Sequence, residues 1–322
     1  MYKTPIILDD YLNYMEAIKG TSPNTVKEYF YDLHTFFRFI KLRYKMVPTN
    51  IDFEEIEIDD VTLDTIKKIT IQDLHAYISF VDKTLENGNH AKSRKVSSLR
   101  SFFNYLYSKM ALIDKNPAES LELPKTNSRQ PVYLTLEQSE MLLDKILENP
   151  SEEYRKRDYA IITLFLNCGM RLSELASIDI SKIKADTLAV IGKGNKERTI
   201  YLNAACQDAI RDYLAIRPTE VNDPDALFIS KRKNRMSNRA IQHMVDRYFK
   251  KIGLDTELYS THKLRHTAAT LMYKYGNVDI RALQEILGHE SVSTTQIYTH
   301  LDDERLRDAI KSNPLANRKK QD

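Results

Sequence analysis

The residues whose types and spacing could do chemistry are concentrated in one stretch of 41 residues, 260–300. His262 and Arg265 are spaced so that a helix would direct both toward roughly one side. His289 follows the glycine that ends a second predicted helix, and Tyr298 comes nine residues later. Imidazoles and a guanidinium can bind a phosphate, and a phenol can attack one. The stretch therefore predicts a phosphate site that carries its own nucleophile.

Three short helices are predicted to position these side chains. The first begins at about His262, with Thr261 as its N-cap, and Gly276 ends it. The second has apolar residues at helical spacing and ends at Gly288. The third begins near Ser293 and carries the tyrosine.

A zinc site through His262 and His266 is the competing interpretation of this stretch. The metalloprotease motif HExxH has the same histidine spacing, but it requires a glutamate where this chain has Lys263. Lys263 and Arg265 would also repel a dication. The sequence therefore disfavours zinc, and no nucleotide-binding loop or carboxylate cluster suggests another cofactor. We expect none.

The pieces HKLRH, LGH and STTQIYTH, in that order, resemble the second motif box of the tyrosine recombinase (phage integrase) family. The run LGHESVSTTQIYTH is similar to the Xer site-specific recombinases of bacterial chromosomes. This resemblance implies that His262, Arg265 and His289 bind the scissile phosphate of DNA. It also implies that Tyr298 is the nucleophile.

Two other pieces carry the same resemblance. GMRLSEL looks like the family's first box, which implies that Arg171 is the second phosphate-binding guanidinium; an ion pair with Glu174 is the alternative interpretation of this arginine. VIGKGNKERTIYL resembles a hairpin of the Xer proteins. The resemblance implies that Lys193 is the general acid, and we expect Lys196 and Arg198 to contact phosphates. A lysine can donate a proton when neighbouring cations lower its pKa.

Composition is typical of a cytoplasmic protein with two domains. The 322 residues are 42% hydrophobic and carry a net charge of +3. No apolar run approaches the 18 residues that a membrane span needs, and the N-terminus does not read as an export signal. The two cysteines, Cys168 and Cys206, cannot form a disulfide framework and are expected in the core.

The amino-terminal half is predicted to be helical, with basic residues at the start of its last helix. Helical patterns cover 11–18, 25–40, 71–81 and about 90–110. The sequence SRKVSSLRSFFNYL resembles a DNA-contacting helix of Xer proteins, although a solvated helix end is the alternative interpretation. The residues expected to contact DNA here are Lys92, Ser93, Arg94, Lys95 and Arg100.

An acidic segment interrupts this half. Residues 51–64 contain seven acids and no base, and the whole of 44–70 is longer than the usual Xer connection. We interpret 44–70 as an insertion that faces away from DNA or toward a protein partner. A solvated variable loop is the alternative.

The carboxy-terminal half is predicted to mix helices with a small sheet. Helices are expected over 134–147 and 159–168, a β-hairpin over 187–191 and 198–202, and a short strand over 226–230. The basic loop KRKNR follows that strand, and its Lys231 and Arg232 are expected to contact the DNA backbone.

The sequence thus predicts a mainly α protein of two domains. The resemblance implies that residues 1–124 form a helical-bundle, SAM-like domain that binds core DNA and that 132–322 form a mixed α+β catalytic domain with a small antiparallel sheet, with 125–131 as the linker. The resemblance implies cleavage and rejoining of DNA through a 3′-phosphotyrosyl intermediate.

The resemblance also suggests partners and a biological role. These are double-stranded DNA with inverted-repeat recombinase sites, a homo- or hetero-tetramer formed through the C-terminal segment, and activation by a septal DNA translocase. The favoured role is resolution of chromosome dimers, because we expect no arm-binding domain before Met1. Integration of a mobile element is the main alternative. A type IB topoisomerase and a catalytically inactive DNA-binding protein are less favoured.

Overall fold

The computed structural model describes residues 4–48, 50–124, 132–192, 197–276 and 278–288, together with Thr295. The chain divides into two compact units, Met1–Ser128 and Arg129–Asp322. None of the described helices is long and apolar enough to cross a membrane.

The described part of the first unit is helical. Its helices are α1 (Ile6–Asn13), α2 (Pro23–Arg43), α3 (Leu63–Lys67), α4 (Ile71–Lys83) and α5 (Asn89–Asn104), and π-helical turns extend α1 to Ile18 and α5 to Lys109. The Ser22 hydroxyl accepts a hydrogen bond from the Thr25 amide at the start of α2. Pro23 suits the first turn of this helix, because the N–H that proline lacks would have no partner within the helix. A Thr70–Asp73 capping box starts α4.

Aromatic side chains fill the core of this unit. The rings of Phe36 and Tyr77 meet edge to face with centroids 5.1 Å apart, and Phe37 meets Phe102 in the same way at 5.7 Å. These pairs join α2 to α4 and to α5. The apolar stripe that predicted the helix over 25–40 is therefore buried as expected, and the helix extends three residues further, to Arg43.

The acidic segment is packed against this core and is not a solvated loop. Ile56, Ile58 and Val61 are buried, whereas all seven acids are exposed. Arg38 donates a hydrogen bond of 3.0 Å to the Ile56 carbonyl, and Lys41 donates one of 2.8 Å to the carbonyl of Glu57. The sequence interpretation missed the spacing of the apolar residues, which directs them to one side while the acids remain in water.

The second unit combines helices with one small sheet. Its elements are α6 (Leu136–Leu147), α7 (Glu152–Cys168), α8 (Leu172–Ala176), β1 (Ile183–Lys184), β2 (Thr187–Ile191), β3 (Glu197–Tyr201), α9 (Ala204–Leu214), α10 (Asn238–Lys251), α11 (Thr261–Tyr275) and α12 (Ile280–Leu287). The sheet is antiparallel in the order β1-β2-β3, and Val190 pairs with Arg198 in its register. The predicted fold class, mainly helical with a small antiparallel sheet, is confirmed.

Several details of this unit differ from the sequence prediction. Helix α7 begins seven residues earlier than predicted, at Glu152, with Ser151 as its N-cap. The prediction followed the apolar residues and therefore missed the polar first part of this helix. Helix α9 was not predicted. Residues 226–230 form no strand, since Ala226 bridges only to Asp179 and Ile229 only to Arg235. Helix α11 begins one residue early, at Thr261, after the extended residue Ser260.

Candidate active site

The buried helix α7 ends at a glycine that the site requires. Gly169 has φ +59°, a left-handed conformation that glycine adopts without strain. A Cβ atom at this position would lie 2.8 Å from Cδ2 of Leu287, so the backbone of α7 and the end of α12 approach closely here. Two residues later, Arg171 occupies the N-cap position of α8.

Residues of both α8 and the end of α12 hold the Arg171 side chain in place. Its Nη1 donates to Oε1 of Glu174 at 2.8 Å, and its backbone N–H donates to Oε2 of the same residue at 2.8 Å. Its Nη2 donates to the Gly288 carbonyl at 2.8 Å. The ion pair that was the alternative interpretation therefore exists, and it orients a guanidinium that remains one-third exposed.

Arg265 lies on α11 and is buried against the C-terminal ends of α7 and α12. Its Nη1 donates to the Gly169 carbonyl at 2.7 Å, and its Nη2 donates to the Leu287 carbonyl at 2.7 Å. Carbonyls at helix C-termini are unpaired within the helix and carry partial negative charge, which favours a cation there. The two predicted phosphate-binding arginines thus meet at the C-terminal end of α12.

His262 precedes Arg265 by one helical turn and lies in the field of both arginines. Burial lowers the pKa of His262, and the charges of Arg265, Lys263 and Arg171 lower it further. The imidazole is therefore neutral at pH 7 and can accept a proton. Its ring meets that of His266 edge to face, with centroids 4.5 Å apart.

A third arginine, on strand β3, completes the set of contacts to α12. Arg198 donates from Nη1 to the Ile286 carbonyl at 2.6 Å. Three successive carbonyls, those of residues 286, 287 and 288, thus accept hydrogen bonds from three different arginines. His289, the next residue in the chain, lies outside the described residues. The predicted phosphate contact by Arg198 is disfavoured, because each of its guanidinium nitrogens already has a protein acceptor.

Glu174 lies among these arginines, although the sequence analysis named it only in the alternative interpretation of Arg171. It is 1% exposed and accepts hydrogen bonds from Arg171 and Arg198. Burial raises the pKa of Glu174, but the bonds from Arg198 and from the Arg171 backbone and side chain outweigh it, so the pKa is lowered. The signal for this role was the i, i+3 spacing within RLSE, because a short helix directs such side chains together.

Four predicted site residues, Lys193, Lys196, His289 and Tyr298, lie outside the described residues. Arg171, His262 and Arg265 are described, and the structure brings them together at one place. The role of each in catalysis remains a prediction.

The basic residues predicted to contact DNA at the start of α5 are largely paired within the unit. Lys95 is buried and donates to Asp32 at 3.0 Å, and Arg94 donates to the same carboxylate at 2.7 Å. Lys92 pairs with Asp82. Burial of Lys95 disfavours its predicted phosphate contact. Arg100 is half-buried, and the Ser93 carbonyl accepts a hydrogen bond from the Ser97 hydroxyl.

Lys231 and Arg232 are exposed in the turn before α10. Together with Arg247 and Lys251 of α10, they line a groove of about 800 Å³. The cationic lining suits a phosphate backbone, as the sequence predicted for this loop.

Comparison with known proteins identifies the family. The phage integrase family profile matches residues 133–305. The tyrosine recombinase XerC of Caldanaerobacter subterraneus subsp. tengcongensis is 56% identical over 315 residues, 98% of this chain and 88% of that protein. The chain belongs to the phage integrase family. A second family member, the XerC of Thermodesulfovibrio yellowstonii, is 35% identical over 329 residues, 98% of this chain and 99% of the other.

Solved structures of phage integrase family members share the fold. A XerH site-specific recombinase bound to palindromic difH substrate superimposes with a TM-score of 0.71 at 22% identity, covering 95% of this chain and 84% of that one. A λ integrase dimer bound to a COC′ core site gives a TM-score of 0.62 at 18% identity, covering 89% and 95%. With the identity to XerC, the family match shows that this chain is an enzyme, a tyrosine-type site-specific DNA recombinase of the Xer kind.

Proposed function

We propose that this recombinase cuts DNA with Tyr298 as nucleophile and Arg171, Lys193, His262, Arg265 and His289 as its assisting residues. The observation that carries the proposal is the meeting of Arg171 and Arg265 at the end of α12, beside a neutral His262. Forked guanidinium donors from two arginines suit the two non-bridging oxygens of a phosphodiester. Tyr298 follows ten residues after Gly288, whose carbonyl Arg171 holds.

The reaction that follows is a transesterification. The phenolic oxygen of Tyr298 attacks the phosphorus, and His262 accepts the phenolic proton. The bond from phosphorus to the 5′ oxygen breaks, and Lys193 protonates that oxygen. Arg171, Arg265 and His289 stabilise the negative charge that develops on the phosphate. The 3′-phosphotyrosyl bond conserves the energy for rejoining, so the proposed reaction uses no cofactor.

The proposed substrate is double-stranded DNA with inverted-repeat recombinase sites. A XerH relative was solved on a palindromic substrate, and a λ integrase tetramer on a Holliday junction. By analogy, residues 1–124 bind core DNA, 132–322 carry the catalysis, and 125–131 link them. The segment after Tyr298 is proposed to join subunits into a homo- or hetero-tetramer.

The proposed biological role is resolution of chromosome dimers in the cytoplasm, with activation by a septal DNA translocase. The 56% identity to a XerC recombinase over nearly the whole chain supports this role over integration of a mobile element. The acidic surface of residues 51–64 would face away from DNA, because its seven exposed carboxylates repel phosphates.

The experiment that tests the chemistry is covalent trapping on nicked DNA. The substrate carries the host's chromosome-terminus recombination site with a nick beside the cleavage position, so that the cut fragment diffuses away and the adduct accumulates. We expect a protein–DNA adduct in buffer containing a metal chelator. The Tyr298→Phe variant should bind the DNA with unchanged affinity and form no adduct.

Other outcomes would reject parts of the proposal. An adduct that persists in Tyr298→Phe rejects the nucleophile assignment. An adduct that forms only on a different DNA sequence replaces chromosome-dimer resolution with integration of a mobile element. Tight binding without an adduct on any DNA rejects independent catalysis.

A further inference from the structure

The two cysteines of this chain lie side by side in the core of the second unit. Their sulfur atoms are 3.7 Å apart, and both side chains are buried. Cys168 is the last residue of α7, and Cys206 lies in the first turn of α9. No other cysteine occurs in the 322 residues, so a disulfide within one chain must join this pair. The proposed cleavage reaction uses neither thiol.

The cap of α9 holds the two thiols in this arrangement. The Asn203 side chain accepts a hydrogen bond of 3.0 Å from the Cys206 amide. It also donates one of 2.8 Å to the side chain of Asn167, the residue before Cys168. One asparagine therefore ties the start of α9 to the end of α7. A disulfide requires sulfur atoms about 2.0 Å apart, so the two sulfurs would have to approach by about 1.7 Å.

The surroundings give the two thiols different chemistry. The hydrogen bond from the Cys168 thiol lowers the pKa of Cys206 against the effect of burial, and the backbone of Asn203 lowers it further. The same hydrogen bond, together with burial, raises the pKa of Cys168. A position in the first turn of a helix also favours the thiolate. Cys206 is therefore the thiol that reacts with an oxidant, and Cys168 is the thiol that resolves the product.

Cys168 directly precedes the junction that holds Arg265. The carbonyl of the next residue, Gly169, accepts the hydrogen bond of 2.7 Å from the Arg265 guanidinium. A Cβ atom at Gly169 would lie 2.8 Å from Leu287, so the backbone has little room to move here. Close-packed interiors transmit a displacement to their neighbours. A displacement of Cys168 would therefore reach Arg265.

We propose that Cys168 and Cys206 form a reversible disulfide when the protein meets a hydroperoxide, and that this bond slows DNA cleavage by displacing the end of α7 from Arg265. The effect on the cleavage rate rests on the proposed role of Arg265 in catalysis, whereas formation of the disulfide does not. Disulfides inside reducing compartments are usually transient and catalytic or redox-sensing, and this pair fits a sensor.

The oxidation takes two steps. The Cys206 thiolate attacks one oxygen of hydrogen peroxide, the O–O bond breaks, and hydroxide leaves as a sulfenic acid forms. The Cys168 sulfur then attacks the sulfenic sulfur, and its proton departs with the hydroxyl group as water. The two thiols together lose two electrons to the peroxide. A dithiol reductant restores both thiols by thiol–disulfide exchange.

The first measurement is the thiol state of the whole chain. Reduced protein is treated with hydrogen peroxide while folded, then unfolded and alkylated, and its mass is determined. We expect a monomer in which neither cysteine is alkylated, and in which both are alkylated after treatment with a dithiol. Two alkylated cysteines after peroxide treatment would overturn the proposal, and so would an oxidised Cys206 without a disulfide.

Alanine variants test the assignment of the two thiols. In Cys168→Ala, the sulfenic acid of Cys206 has no resolving thiol and should be trapped by a cyclic 1,3-diketone. In Cys206→Ala, the remaining thiol should stay reduced, because burial raises its pKa. Trapping on Cys168 instead of Cys206 would overturn the assigned order of the two steps. Serine variants at the same positions take over should an alanine variant fail to fold.

The second measurement is covalent trapping on nicked DNA at saturating protein, before and after oxidation. A misplacement of about 1 Å in an active site can cost 10²-fold, so we expect the disulfide to slow trapping about tenfold or more. A dithiol should restore the rate. An unchanged rate in protein that carries the disulfide would reject the coupling to Arg265. Absence of trapping by the reduced protein would instead reject the proposed function, and the mass measurement would still decide whether the disulfide forms.

The alanine variants are also the matched controls for the rate. Under reducing conditions both should cleave within a few-fold of the wild type, and peroxide should not slow them. Equal slowing of the variants would trace the effect to another oxidised residue and overturn the proposal. The thermal midpoint of the oxidised wild type should not fall, because a cross-link restricts the unfolded chain. A lower midpoint would attribute the slower cleavage to partial unfolding and reject the coupling.

Discussion

Each unit of this recombinase contains a buried carboxylate that holds two cations, and the two carboxylates behave differently. Asp32 of the first unit pairs with Arg94 and Lys95, and Glu174 of the second pairs with Arg171 and Arg198. Both carboxylates are 1% exposed. Yet the pKa of Asp32 is raised and that of Glu174 is lowered.

The number and geometry of the donors explain the difference. Asp32 accepts one hydrogen bond from Arg94 and one from Lys95, and burial raises its pKa by more than these cations lower it. The nearby Glu28 raises the pKa further. Glu174 accepts four hydrogen bonds, three from guanidinium groups and one from a backbone amide. Four donors replace water around the charge more completely than two.

The comparison separates two uses of basic residues. Around Asp32, the cations and the carboxylate neutralise one another inside a helical bundle. Around Glu174, the carboxylate stays ionised and orients arginines that also bond to the end of α12. Orientation of donors before the substrate arrives is what electrostatic catalysis requires. The second arrangement should therefore matter for rate and the first mainly for folding.

The largest expected effect comes from removing one arginine of the second unit. Arg171→Ala or Arg265→Ala should slow covalent trapping on nicked DNA by about 10²-fold or more, as for loss of one preorganised donor. Arg94→Ala, the matched change beside Asp32, should leave the cleavage rate within a few-fold of wild type at saturating protein. Near-normal cleavage by Arg171→Ala or Arg265→Ala would contradict the assignment of that arginine.

Neutralising each carboxylate should change stability with opposite dependence on pH. A lowered folded-state pKa means that ionised Glu174 contributes stability above its usual value of 4.5, and that this contribution is lost as pH falls through the lowered pKa. For Asp32 the pKa is raised from 3.8, so its stabilising contribution is greatest at low pH and is lost as pH rises through the raised pKa. Denaturant unfolding between pH 7 and pH 3.5 measures both.

The two variants to compare are Glu174→Gln and Asp32→Asn. Relative to wild type, Glu174→Gln should cost about 3 kcal/mol of unfolding free energy at pH 7, the cost of removing one partner of a buried ion pair, and the deficit should shrink below pH 4.5. The difference between wild type and Asp32→Asn should instead move in favour of wild type as pH falls toward 3.8. The contrast between the carboxylates would be refuted if the difference in unfolding free energy from wild type changed with pH in the same direction for both variants.

The sequence predicts these two regions unequally. Apolar stripes identified α2, α4 and α5, and the motif boxes identified Arg171, His262 and Arg265. Neither kind of pattern reveals that Arg94 and Lys95 pair with Asp32, more than 60 residues away, or that Arg171 bonds to the carbonyl of a residue 117 positions later. Every residue has a backbone carbonyl, so the residue type of the acceptor does not indicate that such a hydrogen bond exists.

The inward direction of Arg198 was predictable in part. Strand alternation places it on the same face as Ile200 and opposite to the exposed Thr199. We expected a phosphate contact because the residue is basic and follows a lysine-rich turn. What the alternation could not supply was Glu174, whose position depends on how α8 and the sheet pack together.

The smallest expected effect comes from adding one methyl group to a glycine in each unit. Gly20 and Gly288 have the same φ of +63°. A Cβ at Gly20 would meet no atom within 4 Å, whereas one at Gly288 would meet the side chain of Arg198 at 3.1 Å. Gly20→Ala therefore isolates the backbone cost, about 1 kcal/mol for a left-handed alanine. Gly288→Ala should lose a similar amount of stability, because the side chain of Arg198 is flexible and can yield.

The cleavage rate should separate these glycines even if stability does not. When Arg198 yields to a methyl group, its bond to the Ile286 carbonyl lengthens, and strand β3 loses its fixed relation to the end of α12. We expect Gly288→Ala to cleave several-fold more slowly at full occupancy of DNA, and Gly20→Ala to cleave at the wild-type rate. Equal cleavage by both variants would mean that contact with Arg198 contributes packing alone, since the two substitutions strain the backbone alike.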